Sequence, residues 1–289
     1  MFNKICIIGI GMIGGSVARA ARANSAAKYI VALDKNPENI AYAHQHGMID
    51  NIQHDNVAVL MGADLVVLAV PVRSYAQVFE RIAPHLRADV IVTDVGSTKR
   101  GVMAAAEKFL PDVNFIGGHP IAGLEKHGPQ HADSELFKNR WTVLTPAKNT
   151  PGDDLRKLSD FWQALGSHVE IMTPHHHDRV LAITSHLPQL IARTIVGTAA
   201  DLEEELQDEI IKFSAGGFRD FTRMAAADPV MWRDIFMENG DAVLEMLQRL
   251  SEDIALMQKR IRAGDADALE EVFTRARQIR QRVIEAHQA

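Results

Sequence analysis

The sequence predicts an α/β protein: a doubly wound parallel sheet first, then an all-helical domain. Three observations predict it. A glycine-punctuated strand-to-helix turn lies at Ile5 to Ser16. Buried apolar runs then alternate with helical segments as far as Met172. After Met172 the strand signal stops and apolar residues recur only at helical spacing. The predicted domains are residues 1–172 and 173–289.

The opening stretch reads ICIIGIGMIGGS. The run Ile5 to Ile8 meets Gly9, Gly11 and Gly14, and small residues follow at Gly15, Ser16, Ala18, Ala20 and Ala21. Gly9 permits a tight turn, Gly11 lets a pyrophosphate approach the backbone, and Gly14 lets the helix pack close to the strand. An anion would sit on the open N–H groups and positive end of that helix. Tyr29 to Leu33 reads as the second strand, and Asp34 stands at its end, 20 residues after Gly14. A carboxylate there suits a ribose 2′-hydroxyl. The competing reading is a glycine-rich turn with no ligand. The predicted dinucleotide-binding set is Gly9, Gly11, Met12, Ile13, Gly14 and Asp34, with Val70 and Pro71 at the end of the third strand.

Pro37 opens a helix running to His46, with Gly47 as its stop. Further buried strands are predicted at Asp64 to Val70, Val90 to Val95, Val113 to Ile116, Trp141 to Leu144 and His168 to Met172. Alternation with helices implies parallel pairing and right-handed crossovers. Asn149 to Asp154 reads as a loop.

Thr173 and Pro174 open the helical half as cap and first helical residue. Three apolar series follow, from Val180 to Ile195, from Ile235 to Ile261 and from Leu269 to Val283. Such long apolar faces predict a homodimer, with a self-contained bundle as the alternative.

Composition bounds the function. The chain has 289 residues, 47% hydrophobic, with a net charge of −6. That size fits two domains, and that charge argues against nucleic acid as a partner. No apolar run is long enough to predict a membrane span. The first strand starts at the N-terminus, which leaves no room for a signal peptide. The single cysteine, Cys6, fits a reducing compartment, so a cytoplasmic location is expected.

Four constellations carry candidate chemistry. Ser97, Thr98 and Lys99, in DVGSTK, follow a strand end and are expected to face cofactor or substrate; Ser or Thr could equally cap the next helix. His119, in GGHPIAG, is expected in a rigid loop as a general base. Glu125 and Lys126 follow, either at the site or as a solvated pair. In TSHLP, Pro188 predicts a kink beside His186. In GGFRDFTR, Arg219 and Arg223 share a helix side, suited to a carboxylate, and Asp220 could orient one of them. Two features are set aside. The run His175 to Asp178 puts adjacent histidines in different directions and makes a poor metal site, so no metal is expected. The acidic run Asp201 to Glu205 reads as a solvated helix face.

These motifs, together with DPVMWRDI at Asp228 to Ile235, occur in one order along nearly the whole chain. The chain thereby resembles the prephenate dehydrogenase family, which includes arogenate and cyclohexadienyl dehydrogenases of tyrosine biosynthesis. The resemblance implies a Rossmann-like domain followed by a helical dimerisation domain. It also implies an NAD-dependent oxidative decarboxylation of prephenate, arogenate or both. It assigns His119 to the ring hydroxyl as catalytic base and Ser97 to orienting that hydroxyl. Arg223 would bind a substrate carboxylate, and His186 would lie on the substrate side of the cleft. Glu125, Asp220 and Trp232 match a polar network guarding the cleft. Many relatives carry a second histidine where this chain has Gln189, which leaves prephenate and arogenate both open. Two other readings compete: a different NAD-dependent hydroxy-acid dehydrogenase with a helical second domain, and a dinucleotide sensor without turnover.

Overall fold

The computed structural model describes residues 1–52, 56–123, 126–202, 209 and 212–285. The chain forms two compact units, Met1–Gly240 and Asp241–Ala289.

The first unit is built on a seven-stranded sheet of order β2-β1-β3-β4-β5-β6-β7. Its strands are β1 (Phe2–Ile8), β2 (Ala27–Leu33), β3 (Leu65–Leu68), β4 (Ile91–Asp94), β5 (Asn114–Pro120), β6 (Trp141–Pro146) and β7 (His168–Ile171). Pairing from β2 through to β5 is parallel, as the buried runs predict. The β5–β6 pair is antiparallel, which corrects the expectation of a wholly parallel sheet. A parallel neighbour needs a covering crossover, usually a helix, between its strands. Here β6 instead runs back beside β5 with no crossover helix among the described residues, and Ile121 N–H donates to Trp141 O at 2.7 Å.

Side chains alternate across the sheet, so one strand feeds two cores. Ile5, Ile7, Ile30, Leu65 and Val67 face α1 (Met12–Ala23), α2 (Pro37–Gln45) and α5 (Gly152–Ala164), where Phe161 and Trp162 fill the layer. Cys6, Ile8, Val66, Leu68 and Val92 face α3 (Tyr75–Ile82) and α4 (Arg100–Phe109) through Phe79 and Val102. Each fully buried large side chain contributes about 1.5–3 kcal/mol, so the two-sided sheet is the main store of stability. The predicted loop at Asn149 to Asp154 is shorter than expected. Pro151 is the N-cap of α5, so Asp153 and Asp154 lie in its first turn, where carboxylates suit the dipole.

Thr173 does open the helical half: its hydroxyl accepts from His176 N–H at 3.2 Å, with Pro174 at the first position of α6 (Pro174–Leu181). A π-helical turn, Ala182–His186, separates α6 from α7 (Leu187–Ala200). Pro188 explains it, since its ring clashes with the carbonyl four residues earlier and the helix widens to relieve the clash. Then come α8 (Gly216–Thr222) and α9 (Pro229–Glu238). Asp228 caps α9 by accepting Met231 N–H at 2.7 Å. The helices α10 (Gly240–Ala263) and α11 (Ala266–Glu285) carry the later apolar series. Within the second unit Leu244, Ile261 and Phe273 are exposed. Among the described residues, no helix is long and apolar enough to cross a membrane. Of the acidic run, Asp201 is exposed, and residues 203–205 lie outside the described residues.

Candidate active site

The strand-to-helix turn forms a cradle. Gly9 has φ +91°, and a Cβ there would stand 2.5 Å from Ala69 O. A Cβ on Gly14 would collide with Gly9 O, whereas one on Gly11 would meet nothing within 4 Å. Gly11 therefore faces open space at the N-terminus of α1, which no side chain among the described residues caps. The first-turn N–H groups, Met12 and Ile13 among them, are available to an anion there. A cleft of about 580 Å³ runs from this turn between Leu33 to Asn39 and the face of α3. Of the residues expected to hold a dinucleotide, Gly9, Gly11, Asp34, Val70 and Pro71 line it. Asp34 ties the turn to α2 by accepting Ile10 N–H and Asn36 N–H, each at 2.8 Å. The shape and donors fit a dinucleotide. Lys35, Asn39, Gln77 and Arg81 also line the cleft. Lys35 stands beside Asp34 in the sequence, but Gln77 and Arg81 were missed because a cleft wall contributed by a second helix has no fixed spacing from the glycines.

A second cluster lies where β4, β5 and α6 meet. His119 belongs to β5, paired with Val143 of β6, and not to a loop as expected. The antiparallel neighbour keeps the backbone extended through the histidine. His119 Nδ1 lies 2.8 Å from His177 Nε2, and His177 Nδ1 lies 2.8 Å from Asp178 Oδ1. Asp178 also accepts the backbone N–H of Lys99 at 2.8 Å and of Arg100 at 2.9 Å. The proton positions follow. An ionised carboxylate only accepts, so His177 carries its proton on Nδ1. His177 Nε2 must then accept, so His119 carries its proton on Nδ1 and presents a lone pair at Nε2.

Lys99 does not face the cleft. It is fully buried, paired with Asp94, and donates to Gly118 O at 2.8 Å. Asp94 further accepts from Tyr75 Oη at 3.0 Å and from Gly96 N–H and Gly118 N–H, each at 2.9 Å. Neither Ser97 nor Thr98 caps α4: its N-cap is Lys99, and the amides of Lys99 and Arg100 are held by Asp178. Thr98 is buried and Ser97 half-buried.

His186 is buried as well. Asn239 Nδ2 donates to Asp178 O at 2.8 Å and stands 3.1 Å from His186 Nδ1. With Nδ1 accepting, the His186 proton sits on Nε2, a buried atom without a partner among the described residues. Trp232 Nε1 and Gln189 Oε1 are orphaned in the same way, and the Trp232 ring meets His186 edge-on at 6.0 Å. Buried polar atoms without partners are costly, so a ligand that supplied the bonds would be favoured here.

Burial and neighbouring charge keep all three histidines neutral. His119 titrates well below its ordinary 6.5, through burial first and then His177, Lys99 and His186. Burial takes His186 down to about 4. Burial also lowers His177, with Asp178 opposing. For Asp178, burial acts upward, but the bonds from His177, Arg100 and Lys99 together hold it below the usual carboxylate range.

The structure thus gathers His119, His186 and Trp232, with Gln189 on the following turn. Asp220 is exposed and pairs with Arg219 at 3.7 Å, and Arg223 opens the short turn Arg223–Ala226. Arg193 holds that turn through Ala225 O at 3.1 Å and Ala227 O at 2.9 Å. Glu125 lies outside the described residues. Sequence reasoning passed over His177 and Asp178, weighing them only as metal ligands. Asp178 follows the helix-opening Thr-Pro by a few positions, but nothing local shows that it caps a helix 79 residues earlier.

Two family descriptions match the chain: "Prephenate dehydrogenase, nucleotide-binding domain" over residues 17–171 and "Prephenate dehydrogenase, dimerization domain" over 173–275. The chain is 37% identical over 280 residues to a cyclohexadienyl dehydrogenase of Zymomonas mobilis, covering 97% of this chain and 96% of that one. Its fold is similar to that of prephenate dehydrogenase from Aquifex aeolicus in complex with hydroxyphenyl propionate and NAD+. The TM-score is 0.92 at 33% identity, covering 98% of this chain and 99% of that one. It is also similar to Synechocystis arogenate dehydrogenase, with a TM-score of 0.85 at 26% identity, covering 96% and 99%.

Proposed function

The chain belongs to the prephenate dehydrogenase family, and from that premise we propose that it is the NAD-dependent enzyme that oxidatively decarboxylates prephenate, arogenate or both. The product is 4-hydroxyphenylpyruvate or tyrosine, in tyrosine biosynthesis. One observation carries this reading: His119 is a neutral imidazole whose Nδ1 is bonded to His177, which leaves Nε2 as a base.

NAD, held by Gly9, Gly11, the first turn of α1 at Met12, Ile13 and Gly14, and by Asp34, Val70 and Pro71, supplies a hydride acceptor when bound. The chain's own residues do the rest. His119 Nε2 takes the proton of the ring hydroxyl as the carbon bearing it is oxidised. The ring carboxylate departs as carbon dioxide and the ring becomes aromatic, so positioning dominates the catalytic demand. Ser97 orients the hydroxyl toward His119. His186 Nε2–H and Trp232 Nε1–H are donors, and Gln189 supplies an amide that suits a keto or an amino side chain. Arg223 anchors a substrate carboxylate, with Asp220 and Glu125 forming a polar gate around it.

In the same reading, residues 1–172 bind the dinucleotide, and residues 173–289 complete the substrate site and form a homodimer. The exposed apolar residues of α10 and α11 support that assembly. A cytoplasmic location fits the free, buried Cys6. The test is incubation with prephenate or arogenate and NAD, following NADH and the aromatic product. Formation of both in equal amounts is expected. Absence of turnover with either substrate overturns the reading.

A further inference from the structure

His119 faces an electrostatic difficulty. Taking a proton gives it a positive charge inside a buried site, within reach of the Lys99 ammonium from the β4–α4 side and of His186 from the π-turn. Asp94, the nearby carboxylate on β4, is already engaged by Lys99, Tyr75 and two backbone amides. The carboxylate connected to His119 is that of Asp178, and the connection runs through His177. The side chain of His177 is closed from solvent and uses both ring nitrogens in this chain. The cap of α4 does not require it, because Asp178 accepts the Lys99 and Arg100 amides directly. A buried polar ring without another duty would be cheaper as an apolar side chain.

We propose that His177 and Asp178 are positioning residues of the reaction: they hold His119 as the Nδ1–H tautomer and take over the positive charge that forms on it. This rests on His119 being the base, as read above. The balance is simple. The substrate proton binds His119 Nε2, and the Nδ1 proton of His119 crosses 2.8 Å to His177 Nε2. His119 ends neutral, His177 ends as an imidazolium, and its Nδ1–H already faces the Asp178 carboxylate. No electron beyond the transferred hydride is involved. The arrangement shares the logic of an aspartate fixing a catalytic histidine, with one more imidazole between them.

Two variants separate orientation from charge. In His177→Gln an amide can accept from His119 and donate to Asp178, which keeps the tautomer but cannot take the charge. In His177→Phe both roles are lost. With prephenate or arogenate, the expected order of kcat is wild type, then Gln, then Phe. Phe should fall about 100-fold, the scale of lost acid–base assistance, with KM for NAD and substrate little changed. A readout independent of turnover is the 15N spectrum of the histidine rings in the unmodified protein, where His119 should be protonated on Nδ1. A His119 protonated on Nε2 overturns the proposal. So does unchanged kcat in both variants, or a loss of kcat matched by loss of NAD affinity and melting temperature. A wild-type protein without turnover would overturn the family activity instead, while the ring spectra still test the relay.

Discussion

The ammonium of Lys99 and the carboxylate of Asp94 form an ion pair in which neither side chain is exposed to solvent. Breaking such a pair leaves one buried charge uncompensated, at a cost of about 3–5 kcal/mol. Lys99→Met should therefore lower the unfolding free energy by an amount of that order. It should also shift the acid limb of kcat to higher pH, since Lys99 is one of the groups that push His119 down. Denaturant titration and a pH–rate profile check both halves. A variant as stable as the parent would show that Asp94 is satisfied by its other donors.

His119→Asn should reduce kcat about 100-fold or more, with a smaller effect on KM. The parent's acid limb should lie below the ordinary histidine value of 6.5, because His119 is held neutral to lower pH. The variant should lack that limb. Steady-state kinetics across pH decide it, and a retained limb would assign the base elsewhere.

Acid should also destabilise the fold itself. In the unfolded chain each histidine takes up a proton near 6.5. Folded, His119, His177 and His186 resist it, and His186 does so down to about 4. The unfolded state then binds more protons, so stability present above pH 6.5 is lost as pH falls toward 4. Each such histidine contributes a slope of about 1.4 kcal/mol per pH unit. Melting temperature measured between pH 7 and 5 should drop steeply, and a flat profile would mean the histidines are charged when folded.

Asp34→Ala should narrow the preference for NAD over NADP. A carboxylate at the ribose end of the cleft repels a 2′-phosphate, while Lys35 and Arg81 on its walls would attract one once the carboxylate is gone. The ratio of kcat/KM for the two cofactors is the measurement. Equal use of both by the unmodified protein would remove Asp34 from this role.

The dinucleotide half was legible because its signals are local. Three glycines within six residues and Asp34 at a strand end describe a turn almost by themselves, and alternating runs mark strands buried on both faces. What was hidden depended on the partner strand or on distant pairing. Nothing within Gly117 to Gly123 says that β6 returns antiparallel and turns the expected loop around His119 into strand. Lys99 reads as a charge near a ligand until the structure shows that Asp94 and Gly118 O enclose it. Asp178 and Asn239 read as ordinary polar helix residues, yet they join α4, α6, the π-turn and the end of α9 into one hydrogen-bonded unit.

The widened turn at Ala182–His186 has an angular consequence. His177 and His186 are nine positions apart, and in a uniform α-helix nine steps of roughly 100° place two side chains on opposite sides of the axis. Admitting one more residue into a single turn takes back roughly one such step, swinging His186 toward the side on which His177 lies. His177 bonds His119 directly and His186 is near enough to influence it, as two rings on a common side would be. The segment therefore acts as a phase setter. Its width, more than the chemistry of Ile183 or Thr184, determines which histidines share the site. Closing it to a regular helix with every residue kept would leave His186 facing away, whereas deleting one residue would let the helix close with His186 still on this side.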